Sequence, residues 1–267
     1  MTTEEDKIPF TAHLAELRNR LVVCFIAIGV GFLVSYFFKE RIFEILMAPL
    51  KSVMESGDKV IFTSLPEAFF TYLKVSLLSG LMLASPVVLY QFWMFVAPGL
   101  YAREKRVLLP IVALSTFFFL GGALFGYFIV FPYGFEFFLS FSTETIQALP
   151  SMREYMTFST KLLIAFGLAF ELPLVITFMA KMGLVSVPFL KKNRKYAILI
   201  FFAGAAAITP PDVVTQIMMA VPMMALYELS IFGARIFGRK PDPENDADDD
   251  AKADSDEADD EKATDGT

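Results

Sequence analysis

The sequence predicts an all-α integral membrane protein: six transmembrane helices, both termini on the cytoplasmic side, a short fifth–sixth helix hairpin and a disordered acidic C-terminal tail. Composition is the first reason. Of 267 residues, 55% come from AVILMFWYC and 30 are Phe, against roughly 45–50% apolar in an ordinary soluble domain. The distribution of charge is the second. Pro241–Thr267 holds 13 acids, 2 bases and no aromatic residue, a net −11; with −6 for the whole chain, the body carries +5. The third is a series of six apolar runs, most of them near the roughly 20 residues a helix needs to cross the hydrocarbon core. A body this apolar and slightly basic excludes a soluble enzyme.

Leu21–Phe38 is the first run, 18 residues without a charge. The polar Met1–Arg20 precedes it and no small-residue cleavage site follows it, so it is not read as a cleaved signal peptide. Val75–Val96 is the second, preceded by Lys74 and interrupted by Pro86 and Gln91. Val107–Phe131 is the third and the least polar. Leu162–Ala180 is the fourth, with Glu171 at its centre. Tyr196–Ile208, the fifth, would span only about 20 Å of a roughly 30 Å core. Val213–Phe232 is the sixth and contains Gln216, Pro222 and Glu228. The expected organisation is a cytoplasmic segment 1–20, a six-helix domain 21–235 and a tail 236–267. Thirteen acids with almost no apolar residue but Ala cannot offset chain entropy, which predicts disorder there.

Basic residues orient the bundle. With the N-terminus inside, cytoplasmic segments hold 16 Lys and Arg, whereas the opposite loops 39–66, 132–155 and 209–212 hold 5 and Lys74 and Lys161 stand at the starts of spans, so the positive-inside rule puts both termini in the cytoplasm. Within the first outer loop, 39–66, the spacing of Ile42, Phe43, Ile45 and Leu46 predicts a short surface helix packed back on the spans. Pro49 and a Gly57-Asp58 turn follow it. Aromatics at 133–141 predict an interfacial cap on the second outer loop. The third is almost absent: Thr209-Pro210-Pro211-Asp212 should form a rigid turn, with Asp212 capping the sixth helix.

The counts of reactive residues exclude several chemistries. One Cys, Cys24, forms no internal disulfide, and one His, His13, leaves no His-based zinc cluster and no bis-His haem. No nucleophile–base pair, metal cluster or phosphate-binding loop is evident, so neither an enzyme nor a cofactor is expected. Glu171 is the most informative residue. A carboxylate at midspan costs roughly 2.5–3.5 kcal/mol on insertion scales, so it should face protein or water, with Gln91 as the expected partner. It fits either a patch that receives a polar residue inside the membrane, a proton or ion site, or a structural hydrogen bond between spans. On the cytoplasmic side, Leu14, Leu17 and Leu21 share one helix face, which leaves Glu16 and Arg20 as an i, i+4 pair on another. Glu104 stands among three bases in the first inner loop.

Five stretches, taken in order, resemble one family. They are His13-Leu14-x-Glu16-Leu17-Arg18-x-Arg20-Leu21, Pro86-Val87-Val88-Leu89-Tyr90-Gln91-Phe92-Trp93, Pro98-Gly99-Leu100-Tyr101-x-x-Glu104, Phe170-Glu171-Leu172-Pro173 and Thr209-Pro210-Pro211-Asp212. Together with Gly126–Pro132 they are similar to the TatC family, the receptor and core subunit of the twin-arginine protein translocase. The resemblance runs from about Thr11 to Arg235 and leaves the acidic tail outside. It implies a receptor for signal peptides with two consecutive arginines, carried by folded precursors, with Glu16, Arg18 and Glu104 at the peptide site. It also implies partner contacts in the membrane with single-span TatA and TatB, at Glu171, Gln91 and Gln216, and self-association in a larger complex. The setting it implies is the bacterial cytoplasmic membrane and its lipid, with no nucleic acid. The competing reading is a six-span proton-coupled secondary transporter using Glu171; Gln91 and Gln216 are few polar groups for such a pathway.

Overall fold

The computed structural model describes residues 10–54, 60–96, 105–143, 148–208 and 212–238. Among them are ten α-helices, one π-helical turn and a single isolated β-bridge. The predicted Gly57-Asp58 turn, Glu104, Pro210, Pro211 and the acidic tail lie outside the described residues.

The amphipathic segment and the first apolar run form one helix, α1 (Phe10–Phe37). α2 (Lys39–Lys51) is the expected surface helix, and it buries Leu46, Met47 and Leu50 against the bundle. Pro49 is a correction: it lies inside the last turns of α2 rather than in a turn after it. Its missing N–H leaves the carbonyl of Ile45 without a helical donor, and the Tyr127 hydroxyl takes that carbonyl at 2.6 Å. The Tyr155 hydroxyl donates to the next one, on Leu46. α3 (Glu67–Val96) solves the same problem locally. Pro86 orphans the carbonyl of Met82, and Ser85 Oγ donates to it at 2.7 Å, so the helix continues for 30 residues.

α4 (Lys105–Phe125) widens into a π turn at Gly126–Val130 and runs on as α5 (Phe131–Leu139). The third span therefore reaches Leu139 and does not end at Phe131. Pro132 fails to stop it because the wider i→i+5 turn before it relieves the loss of the i→i−4 bond. α6 (Met152–Phe170) and α7 (Leu172–Lys181) make the fourth span, broken at Glu171 ahead of Pro173. Gly183, at φ 77°, then closes α7: its N–H bonds Ala180 O and that of Leu184 bonds Met179 O, the double closure that a left-handed residue permits. α8 (Val187–Lys192) is a short basic helix capped by Ser186. α9 (Arg194–Ile208) and α10 (Val213–Phe237) form the hairpin.

Among the described residues five stretches are long and apolar enough to cross a membrane: Leu14–Phe37, Glu67–Val96, Leu108–Leu139, Met152–Lys181 and Val213–Phe237. α9, at 15 residues, is about 22 Å long and falls short of that length. α1 crosses α3 at Gly31 and Gly80, where a Cβ on Gly31 would come within 2.5 Å of the Gly80 carbonyl oxygen. Only glycine allows that approach, which brings the start of α1 against the end of α3. The main core lies at the opposite end of the bundle, where Met47, Phe131, Met156, Leu162 and Phe166 pack together. A second, smaller core joins Trp93, Leu108, Val112 and Phe178. A third packs Phe201, Tyr227 and Ile231 against Ala180 and Leu190.

Candidate functional site

Polar side chains gather in three places, and the first is where α1 meets the end of α3. Glu16 and Arg20 are one helical turn apart and pair as their spacing predicts. Arg20 Nε donates to Glu16 Oε1 at 2.9 Å and Nη2 donates to the same oxygen. Arg20 Nη1 donates to Gln91 Oε1 at 3.1 Å. The side chain of Arg20 is 17% exposed and that of Glu16 40%, so the guanidinium is tucked in while the carboxylate edge faces outward. The three border an open cavity of about 510 Å³ together with Ala15, Asn19 and Val23. Arg18 does not join them. Two residues from Glu16 on a helix, it points to another side and is exposed.

Gln91 is therefore not the partner of Glu171. Gln91 and Trp93 are two residues apart, so they leave α3 on nearly opposite sides: Gln91 reaches α1 and Trp93 turns inward. The second place is built on that inward face. Trp93 Nε1 donates to Ser115 Oγ at 3.0 Å, and Ser115 Oγ donates to Glu171 Oε2 at 2.5 Å. Both residues and Glu171 are buried, the last at 8% exposure. Glu171 Oε1 is buried without a hydrogen-bond partner. Phe178 covers the indole edge-on, with ring centroids 5.0 Å apart. Trp93, Ser115 and Glu171 thus form a relay across α3, α4 and the α6–α7 break. Its members are a lone Ser and a lone Trp in apolar runs, and no periodicity distinguishes them.

The third place is the opposite end, around Glu67, which composition did not single out. Glu67 is 3% exposed, and its carboxylate is saturated with donors. Oε2 accepts from Thr63 N at 2.7 Å, Thr63 Oγ1 at 3.0 Å and Ser64 N at 3.2 Å. Oε1 accepts from Ser151 Oγ and Arg153 N, each at 2.8 Å. Alongside, Ile61 pairs with Ser151, through Ile61 N to Pro150 O and Met152 N to Ile61 O. One carboxylate so clasps the start of α3 to the start of α6. Three of its five donors are backbone amides, which leave no mark in a sequence.

The hairpin behaves as expected at its cap. Asp212 Oδ1 accepts from Thr215 N at 2.7 Å, and Thr215 Oγ1 donates to Oδ2. Gln216, expected with Glu171, instead donates to the carbonyl of Phe202 at 3.0 Å and closes α9 on α10. At the other end of the hairpin Arg194 pairs with Glu228 at 2.8 Å.

Comparison with known proteins agrees with this architecture. The profile of the family described as "Sec-independent protein translocase protein (TatC)" matches residues 12–222. The chain is 66% identical over 267 residues to the Sec-independent protein translocase protein TatC of Desulforapulum autotrophicum, covering 97% of it. With TatC of Escherichia coli strain K12 the identity is 38% over 233 residues, 87% of this chain and 90% of that one. A solved structure, "Crystal Structure of Twin Arginine Translocase Receptor- TatC", superposes with a TM-score of 0.77 at 42% identity, over 85% of this chain and 100% of that one. On this evidence the chain belongs to the TatC family of Sec-independent protein translocase proteins.

Proposed function

We propose that this chain is the receptor subunit of its translocase, binding twin-arginine signal peptides of folded precursors through Glu16 and Glu104. The observation that carries this is the outward-facing carboxylate of Glu16, fixed beside an open cavity by Arg20 and Gln91. Glu104 directly precedes Lys105, the first residue of α4. An arginine fork matches a carboxylate through two parallel hydrogen bonds and keeps its charge at all relevant pH, whereas lysine offers a point charge. Two carboxylates on separate segments therefore select two arginines. Arg18, which the resemblance puts at the peptide site, is exposed on another side of α1 and outside the lining of that cavity. The solved relative bears the words "Twin Arginine Translocase Receptor", which supports the same reading.

The same reading makes α9 the fifth of six spans, crossing a locally thinned membrane, with both termini in the cytoplasmic compartment of a bacterial cell. Asp212 and the Pro210-Pro211 turn then stand on the outer side. Glu171, with its free Oε1, is the contact for a polar residue of single-span TatA or TatB, and further copies of the chain join the complex. The test is site-specific crosslinking of a twin-arginine peptide to photoreactive residues placed at Ala15, Asn19 and Tyr101. Crosslinks that a twin-lysine peptide fails to compete for are expected. Equal competition by the two peptides would refute the reading.

A further inference from the structure

We propose that Lys74 and Lys161 form a binding site for the headgroup phosphate of an anionic lipid, at the Glu67 end of the bundle. α3 and α6 begin at one level, because Glu67, the first residue of α3, accepts the backbone N–H of Arg153 near the start of α6. From that level Lys74 lies seven residues along α3 and Lys161 eight along α6, about 10 Å and 12 Å down the two helices. Lys74 Nζ donates to Thr157 Oγ1 at 3.0 Å. Thr157 spends its own proton on the carbonyl of Arg153 at 2.7 Å, so its lone pair is turned to the ammonium. Thr157 and Lys161 are four residues apart and share a face of α6. Adjacent helices thus carry the two lysines at nearly the same depth, one bonded to Thr157 and the other a turn further along the same face.

No acid among the described residues pairs with them in a salt bridge. The Glu67 carboxylate is saturated by other donors. Glu154, two turns before Lys161, is exposed and borders a separate cavity with Phe135 and Phe158. Each of the two spans has 30 residues, about 45 Å of helix against a roughly 30 Å core, which leaves about 7 Å beyond the core at each end. The backbone of both lysines then sits a few ångströms inside the apolar boundary, from where a four-carbon stem carries the ammonium out to headgroup level. An unpaired cation pair at that depth meets lipid phosphates. A zwitterionic headgroup brings its own cation, so an anionic lipid is favoured. The site stands without the peptide-receptor reading; only its assignment to the outer leaflet rests on the topology proposed above.

The experiment is photolabelling of the full chain in phosphatidylcholine nanodiscs by a photoactivatable phosphatidylglycerol, with the labelled peptides mapped. Label is expected on α6 around Thr157–Lys161, displaced by phosphatidylglycerol and not by phosphatidylcholine. Each lysine at an anionic membrane surface contributes roughly fivefold in affinity, so K74Q/K161Q is expected to lose about 25-fold and K74R/K161R to keep it. Thermal melting followed through Trp93 emission verifies that both variants are folded. Equal labelling of the wild type and K74Q/K161Q, or equal displacement by the two lipids, overturns the site. Displacement of the label by millimolar inorganic phosphate overturns the lipid assignment in favour of a free anion.

Discussion

Arg20 and Gln91 join the first helix to the third across 3.1 Å, and in doing so they hold the guanidinium of Arg20 on the carboxylate of Glu16. A cationic ligand arriving at Glu16 therefore meets a carboxylate that already has a partner. This sets an order of importance between the two proposed acids. A hydrogen bond to a charged group contributes roughly 1.5–3 kcal/mol, but a peptide arginine that displaces Arg20 exchanges one charge-assisted bond for another and returns only about 0.2–1 kcal/mol. Glu16→Ala is expected to lower the affinity of a twin-arginine peptide no more than about fivefold, and Glu104→Ala by tenfold or more. Fluorescence anisotropy of a labelled peptide measures both, and a larger loss in the Glu16 variant would reverse the assignment.

The relay from Trp93 through Ser115 to Glu171 makes a second prediction. Glu171→Gln keeps an acceptor for the Ser115 hydroxyl and should be mild. Glu171→Leu removes the acceptor and the polar group offered to a partner, so TatA and TatB should co-purify poorly with it. Ser115→Ala leaves the buried Trp93 N–H unpaired, a cost of about 1–3 kcal/mol. Since Trp93 is the single tryptophan, its emission should shift in the Ser115 variant. Wild-type co-purification of the Leu variant would take Glu171 out of the partner contact.

Much of this bundle is legible in the sequence, and the parts that are not share a cause. Apolar runs mark spans because charge is expensive in lipid, so Leu21–Phe38 lies in α1 but for its last residue and Val213–Phe232, despite Glu228, falls within α10. Local spacing foretold the Glu16–Arg20 pair and the Asp212 cap, since both partners lie within one turn. Gln91 does not reach Glu171 because which face of α3 meets α1 depends on the Gly31–Gly80 crossing, a property of two distant segments together. Pro49 and Pro132 both continue their helices, one because Tyr127 satisfies the freed carbonyl and the other because a π turn precedes it.

Glu67 carries the third prediction. Glutamine has the shape of glutamate, but its amide nitrogen donates and cannot accept. In either orientation Glu67→Gln turns an N–H₂ group on buried donors: those of Thr63 and Ser64, or those of Ser151 and Arg153. A loss of about 2 kcal/mol or more is expected, with earlier proteolysis near residues 60–66. An unchanged melting temperature in detergent would show that the clasp contributes nothing to stability.

The crossing of α1 and α3 supplies the fourth. A Cβ on Gly80 would lie 2.5 Å from Phe32 N and 2.8 Å from the carbonyl carbon of Gly31, so backbone must move. Gly80→Ala is expected to cost about 1–3 kcal/mol and to loosen the Arg20–Gln91 contact. Gly29→Ala is the control: nothing lies within 4 Å of the added methyl, and alanine favours the helix by roughly 0.5–1 kcal/mol. Equal melting temperatures for the two variants would contradict a close-packed crossing.

The last prediction concerns the α9–α10 hairpin. α9 has 15 residues, about 22 Å of helix, where the hydrocarbon core is roughly 30 Å thick. Only three residues, 209–211, separate Ile208 from Asp212 in the sequence. Asp212 caps α10 at once, and Gln216 fastens α10 back to the carbonyl of Phe202. α9 therefore cannot climb higher without breaking both, and a membrane crossed by it has to thin locally, at a cost of fractions of a kcal/mol per ångström. Inserting four leucines before Thr209 adds about 6 Å and removes most of that mismatch. If thinning beside α9 and α10 helps a folded cargo across, the lengthened chain should insert, bind peptide with unchanged affinity and transport cargo several-fold more slowly. A second variant, Gln216→Leu, releases the hairpin without lengthening it and should retain transport. Full-rate transport by the lengthened chain would remove membrane thinning from the mechanism, and equal loss in both variants would trace the defect to the hairpin's packing instead.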